Sequence, residues 1–401
     1  MNPTAIQPAP GTRTAPAADA ATSATALTFV FPCLNEEASL ADCIRRVRAS
    51  LEADPGLAYE IVVADNGSTD RSREIALEHG ARVVPVAERG YGAALRGGID
   101  AARGTYVMFA DADSTYLYED ALPLYQKAIE HDADMAIASR MIGRIEDGAM
   151  PPLHRHLGTP VLTGLINLFF RGKLTDCNSG FRCLRKTAYD SWDIRSNGME
   201  FASELLIKAL KNNARTVEIP SGLACGPADR VAHLRTWRDG MRHLLFILSE
   251  KPQLFEKLGL AIALLASVLQ LASAFTGPIA LGALHVFDVH SQSLLLLAGL
   301  VGAQLYLFAC MLYVQPRSDR PMNLTKRLID MNEGTLFFVL LGLFAVIGLV
   351  IAGLVVAWGL AGFSGLEVVN TLLVAIHFLA LPSLFALGLL GIHVLKKQGR
   401  G

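Results

Sequence analysis

The sequence predicts an α/β domain, a mainly parallel sheet with helices on both faces, followed by a transmembrane domain of four helices. Three observations carry this expectation. From Leu27 to about Arg140 short apolar runs alternate with helix-like stretches, the mark of repeated strand–helix units. Asp111 and Asp113 close one of these runs, which puts two carboxylates at the strand end where such sheets take ligands. After Lys257 come four long segments with almost no charge.

In order, Thr28-Phe29-Val30-Phe31 reads as a strand and Glu37 to Leu51 as an amphipathic helix. Glu60 to Ala64 is a second strand, followed by a helix from about Thr69 to His79. Arg82 to Val86 is a third, with a helix over Ala93 to Ala102. Tyr106 to Ala110 precedes the acidic pair; a helix near Glu119 to His131 and a strand over Met135 to Ala138 follow. The apolar segments near 258–275, 291–314, 335–360 and 369–395 each supply roughly the 20 residues a helix needs to cross the hydrocarbon layer. The implied layout is a tail over 1–26, an α/β domain over 27–252 and a membrane domain over 253–401.

Composition agrees. Of 401 residues 52% are hydrophobic and only 18% charged, too apolar for an ordinary soluble enzyme. A net charge of -1 and the lack of a basic stripe give no support for nucleic acid as a partner, and none is expected. The six cysteines include no CxxC pair and read as reduced thiols facing the cytosol. Residues Met1 to Ala26 are rich in Ala, Pro and Thr without an apolar stretch, so they read as a disordered tail and not a signal peptide.

Arg317, Arg320, Lys326 and Arg327 fall between the second and third segments, and Lys396, Lys397 and Arg400 after the fourth. The other two loops, Gly277–His290 and Ala361–Glu367, carry no Lys or Arg. Positive residues mark the cytoplasmic side, so both chain ends and the α/β domain are expected on the cytoplasmic face of the inner membrane. Val161 to Phe170, ending in Arg171 and Lys173, is too short to span. It fits a core helix or an amphipathic helix lying in the interface, the second being favoured beside a membrane anchor; Arg235 to Leu248 reads the same way.

Paired carboxylates after a buried strand are costly unless a cation or ligand compensates them. Two hard oxygen donors one residue apart suit Mg²⁺ or Mn²⁺ held against a diphosphate; a surface turn is the plainer alternative. The surrounding residues narrow the choice: Phe31-Pro32-Cys33-Leu34-Asn35-Glu36-Glu37, Ile61 to Asp70, Gly90-Tyr91-Gly92, Asp111-Ala112-Asp113, Ala138-Ser139-Arg140 and Asn178-Ser179-Gly180-Phe181-Arg182. In this order the set resembles family 2 glycosyltransferases, and within them polyprenyl-phosphate glycosyltransferases of the dolichyl-phosphate mannose synthase and bactoprenol glucosyltransferase type. The resemblance spans about Leu27 to Pro252.

That resemblance implies a GT-A fold, a nucleotide-sugar donor, Mg²⁺ or Mn²⁺, and a polyprenyl phosphate acceptor. It implies that Pro32, Asn35, Glu36, Asp65, Asn66, Gly90, Asp111 and Ala112 line the donor pocket, with Asp65 accepting from N3–H of uracil or the guanine edge. Helix capping is the plain alternative for Asn35 and Asp65. Gly90 and Gly92 would let backbone approach the ligand. Asp111 and Asp113 would hold the metal; Thr115 stands where the family often has Gln. Arg140 and Arg155 match acceptor-phosphate arginines, whose guanidinium forks suit phosphate; surface solvation is the competing reading. His233 and Arg235, with Arg238, close over the diphosphate or form a basic patch on the membrane surface.

A phosphate monoester is largely ionised at neutral pH, its second pKa being about 6. It needs no general base, so inverting in-line attack aided by orientation and electrostatics is expected. Glu200 is the one rival for a base. The sugar is not legible, although UDP-glucose is preferred by analogy, and a homo-oligomer is possible. A processive polysaccharide synthase is the alternative, but its Gln-x-x-Arg-Trp motif is absent and His233-Leu234-Arg235-Thr236-Trp237 does not replace it. A scaffold with a dead transferase domain is disfavoured by the intact acidic pair.

Overall fold

The structure, a computed structural model, describes residues 25–226, 236–281, 284–314, 320–360, 362 and 369–398. It divides into two units, Met1–His243 and Leu244–Gly401. The tail expected over 1–26 falls outside the described residues except for Thr25 and Ala26.

The first unit runs β1 (Leu27–Cys33), α1 (Leu40–Leu51), β2 (Tyr59–Asp65), α2 (Ser72–Glu78), β3 (Arg82–Pro85), α3 (Tyr91–Asp100), β4 (Tyr106–Phe109), α4 (Ala121–Glu130) and β5 (Met135–Ser139). There follow α5 (Thr159–Phe170), β6 (Arg182–Arg185), α6 (Lys186–Ser191), α7 (Phe201–Lys211) and β7 (Thr216–Pro220), while α8 (Thr236–Ser249) begins in the first unit and ends in the second. The seven strands lie in the order β3-β2-β1-β4-β6-β5-β7. Every pairing is parallel except those of β6, which runs antiparallel between β4 and β5.

All seven residues of β1 are buried, as a continuous apolar strand should be when both sheet faces are covered. On α1 the buried residues Leu40, Cys43, Ile44, Val47 and Leu51 form the 3.6-period stripe that packs on the sheet. Phe29, Phe31, Tyr118 and Phe181 pack their rings around the β1 side of the core. The strand order reverses between β1 and β4, so a crevice opens beyond their carboxyl ends. The mixed sheet agrees with the expected α/β class. The sequence reading stopped at Ala138 and did not anticipate β6 and β7: β6 has four residues, Arg-Cys-Leu-Arg, too few and too charged at the ends to signal a strand.

The second unit holds α9 (Pro252–Thr276), a hairpin of β8 (Ile279–Leu281) and β9 (Leu284–Val286), α10 (Val289–Leu312), α11 (Asn323–Asp330), α12 (Glu333–Leu360) and α13 (Val369–Gln398). Among the described residues four helices, α9, α10, α12 and α13, are long and apolar enough to cross a membrane. The first begins at Pro252, ahead of the expected 258, because proline suits the first turn of a helix. Small residues let α9 and α10 meet: a Cβ on Gly302 would lie 2.5 Å from the Ala263 amide nitrogen, and one on Gly259 2.5 Å from that of Tyr306. Buried polar side chains then join helices. The Ser267 hydroxyl lies 3.0 Å from His377 Nε2, Gln270 Nε2 donates to the Gln292 carbonyl, and Glu256 accepts from the Tyr313 hydroxyl and the Met322 amide.

Gly302→Val is therefore expected to destabilise the helical unit by about 1–3 kcal/mol through overpacking. Denaturant unfolding of the purified protein in detergent checks this; an unchanged midpoint would show that α9 and α10 do not need the contact.

Candidate active site

Two loops at the carboxyl ends of β1 and β2 zip together through side chain to backbone bonds. Asn35 adopts a left-handed φ of 59°, which Asn tolerates. Its Oδ1 accepts from the Thr69 amide at 2.8 Å, while its own amide donates to Ser68 Oγ at 3.0 Å. The Glu36 amide donates to Ser72 Oγ, and the Glu37 amide to Asp70 Oδ2. Asp65, 1% exposed, accepts from the Ser68 amide at 3.0 Å and from Arg73 Nε at 2.6 Å. Burial pushes this carboxyl up, but the bonds from Ser68 and Arg73 outweigh it and hold the pKa below the ordinary range. Neither Asn35 nor Asp65 caps a helix, since α1 starts at Leu40 and α2 at Ser72. The capping alternative is thereby corrected: both side chains order the loops that wall the crevice.

Asn66 extends the wall. Its Oδ1 accepts from the Gly90 amide, and its Nδ2 donates to the carbonyls of Val86 and Glu88. Gly90 has φ 132°, and a Cβ there would lie 2.1 Å from the Asn197 carbonyl oxygen, so this turn requires glycine. Pro32 is buried within β1.

The acidic pair follows β4, at the carboxyl end of the strand. Its backbone is pinned twice: Ser39 Oγ donates to the Ala112 carbonyl at 2.6 Å, and the Tyr118 hydroxyl to the Asp111 carbonyl at 2.5 Å. Asp113 is buried, and its Oδ1 accepts from both the amide and the hydroxyl of Thr115, at 3.1 and 2.6 Å. Thr115 thus orients the second carboxylate through its amide and hydroxyl. Asp111 Oδ1 accepts from the Tyr91 hydroxyl at 2.8 Å. Gly180 closes in from the far side: a Cβ there would lie 3.0 Å from both Asp111 Oδ2 and Tyr116 Oη. Among the described residues, no three His, Cys, Asp or Glu side chains gather into a self-sufficient cation site.

Arg140 leaves the end of β5 and is held by Asp176 in a bidentate pair, Nε to Oδ2 at 2.7 Å and Nη2 to Oδ1 at 2.9 Å. Asp176 is fully buried. Burial pushes its carboxyl up, yet the Arg140 charge and bonds prevail and hold it below the usual range. The expected surface alternative for Arg140 is corrected, because only 12% of its side chain is exposed. Arg155 sits half-buried on a π-helical turn, His154–Gly158, a distortion often found at functional sites. His154 on the same turn is kept below its ordinary pKa by burial and by the Arg140 charge. His233 and Arg235 lie outside the described residues. Glu200 immediately precedes α7, and its Oε1 accepts from the Gly198 amide at 3.3 Å.

Sequence reasoning missed Asp176, Tyr116 and Ser39 as parts of the site, and it quoted Tyr91 within Gly90-Tyr91-Gly92 without foreseeing its bond to Asp111. Only Asp176 carried a signal, an isolated acid two residues before Asn178-Ser179-Gly180.

A mixed sheet with this acidic pair at its switch point defines a GT-A domain, the nucleotide-sugar-binding form of the α/β fold. Residues 28–192 match Glycosyl transferase family 2. The low-salt glycan biosynthesis hexosyltransferase Agl6 of Haloferax volcanii is 37% identical over 378 residues, covering 91% of this chain and 89% of that protein. The dolichol-phosphate mannosyltransferase of Pyrococcus furiosus is 30% identical over 203 residues, 48% of this chain and 55% of that protein. Among solved structures, glucosyl-3-phosphoglycerate synthase of Mycobacterium tuberculosis is similar at 20% identity, with a TM-score of 0.46 over 56% of this chain and 79% of that one. The chain belongs to glycosyl transferase family 2 and is a glycosyltransferase.

Asp176→Asn leaves the buried Arg140 cation uncompensated and is expected to cost about 3–5 kcal/mol, read by denaturant unfolding. Because the folded-state pKa of Asp176 is depressed, the wild-type advantage should be complete above pH about 4. It should vanish as pH falls through the folded value. An advantage that persists in acid would contradict the ion pair.

Proposed function

We propose that this enzyme transfers one hexose, with inversion, from a UDP- or GDP-hexose to a polyprenyl phosphate at the cytoplasmic face of the membrane. One observation carries the reading. A single loop, residues 175–181, brings Gly180 against Asp111 and uses Asp176 to aim Arg140. A diphosphate-facing acid pair and a phosphate-binding guanidinium thus share one short segment. The names of the relatives, a hexosyltransferase and a dolichol-phosphate mannosyltransferase, support the same class of donor and acceptor.

Asp111 and Asp113 offer only hard oxygen donors and too few for a complete shell, which fits a cation shared with a diphosphate. When bound, Mg²⁺ or Mn²⁺ supplies charge neutralisation for the departing nucleoside diphosphate. The chain does the rest. The Asn35, Asp65 and Asn66 loops take the nucleotide, and the Gly90 turn lets backbone approach it. Tyr91 and Thr115 fix the two carboxylates. Arg140, with Arg155, orients the lipid phosphate, whose ionised oxygen attacks the anomeric carbon without a base. Glu200, bonded to its own loop, has no proton to remove.

The Lys and Arg residues between the second and third spans and after the fourth support a cytoplasmic site. Helices α5 and α8 support a membrane-surface position: they expose Val161 and Leu168, and Trp237, Met241 and Leu245, respectively.

Incubating the purified enzyme with radiolabelled sugar nucleotides, polyprenyl phosphate and Mn²⁺ should yield butanol-extractable label; no label with any donor would sink the reading. Asp113→Asn should lower the turnover at least about 10²–10³-fold. The wild-type rate should fall as pH drops below about 6, where the acceptor gains a proton; a separate protein base titrating near neutrality would contradict a base-free attack.

A further inference from the structure

Arg182 is a fully buried arginine that, among the described residues, forms no direct ion pair with a carboxylate; the acidic charge that reaches it is that of Asp176, which already pairs with Arg140. Its side chain is 0% exposed. Its three bonds all go to backbone carbonyls: Nε to Ser179 at 2.8 Å, Nη2 to Cys177 at 2.8 Å and Nη1 to Ala202 at 3.0 Å. Burying a cation without a directly paired counter-charge is expensive, and a neutral donor would satisfy carbonyls at lower cost. The residue therefore calls for a functional account.

The three carbonyls explain it. Cys177 and Ser179 belong to the loop whose members touch both Arg140 and Asp111. On the acceptor side Asp176 holds Arg140. On the donor side the Gly180 amide donates to the Tyr116 hydroxyl, and Gly180 abuts Asp111. Ala202 lies in the first turn of α7, directly after Glu200 and Phe201. Only a rigid fork with donors on three nitrogens spans these points at once, and a lysine ammonium does not reproduce it.

We propose that Arg182 is a positioning residue that clamps loop 175–181 to α7 and so fixes the donor carboxylate and the acceptor guanidinium as one unit. Its charge adds a fixed positive potential beneath a site that receives a diphosphate and a phosphate monoester. This inference rests on the proposed acceptor for its second half only.

The test compares wild type, R182K and R182A. Binding of UDP and of GDP, each with Mn²⁺, is measured by calorimetry, and transfer gives KM for donor and acceptor. In R182A both nucleotide affinity and acceptor KM should worsen by about 10–100-fold, the usual effect of losing a group that orients a binding residue. R182K should fall between, and millimolar guanidinium should restore part of the R182A loss. A reduced active fraction with unchanged affinities and no rescue would overturn the clamp. If R182A does not fold, R182K decides: wild-type affinity and KM values in that variant would refute the proposal. Failure of the wild type to use any polyprenyl phosphate would reject the acceptor, while the nucleotide-binding arm still judges the clamp.

Discussion

The close approach of Gly180 to Asp111 is the constraint on which the site depends. At the switch point the sheet offers a crevice, but an acidic pair there is stable only if its geometry is held. Ser39 and Tyr118 hold its backbone, and Tyr91 and Thr115 its carboxylates. The loop that passes beside it must carry no side chain at that point. That same loop binds Arg140 through Asp176, so the positions of Asp111 and Arg140 are set by one short stretch of chain. A clash at residue 180 would be felt on both sides.

Antiparallel β6 is what brings this loop into place. It inserts between β4 and β5, and its first residue, Arg182, pairs in register with Phe109, two positions before Asp111. Loop 175–181 therefore enters the sheet beside the acidic pair instead of crossing over from a distant edge. Beyond β5 the Glu218 carboxylate on β7 accepts from the amide and hydroxyl of Thr175, anchoring the loop at its other end.

Much of this was legible in the sequence where local pattern and local chemistry agree. The apolar runs of β1, β2 and β4 announced buried parallel strands, and the four uncharged segments announced α9, α10, α12 and α13 within a few residues. Asp111 and Asp113 stood out because acids after a buried strand conflict with burial. What stayed hidden depends on contacts distant along the chain. Asp176 lies 36 residues from Arg140, and Tyr116 lies 64 from Gly180. A tyrosine near an apolar run reads as core, and nothing local shows that its hydroxyl accepts from the Gly180 amide and holds loop 175–181. Strand β6 escaped notice because four residues with charged ends carry no period.

The proposed transfer requires a cation site that the protein would only half build and a nucleoside diphosphate would complete. Titrating Mn²⁺ into the enzyme, followed by electron paramagnetic resonance with and without UDP or GDP, tests this directly. Mn²⁺ should be held weakly by the protein alone, tightly once a nucleoside diphosphate is present, and not at all tightly in Asp113→Ala under either condition. Equal affinity with and without nucleotide, or tight binding that survives loss of Asp113, would contradict it.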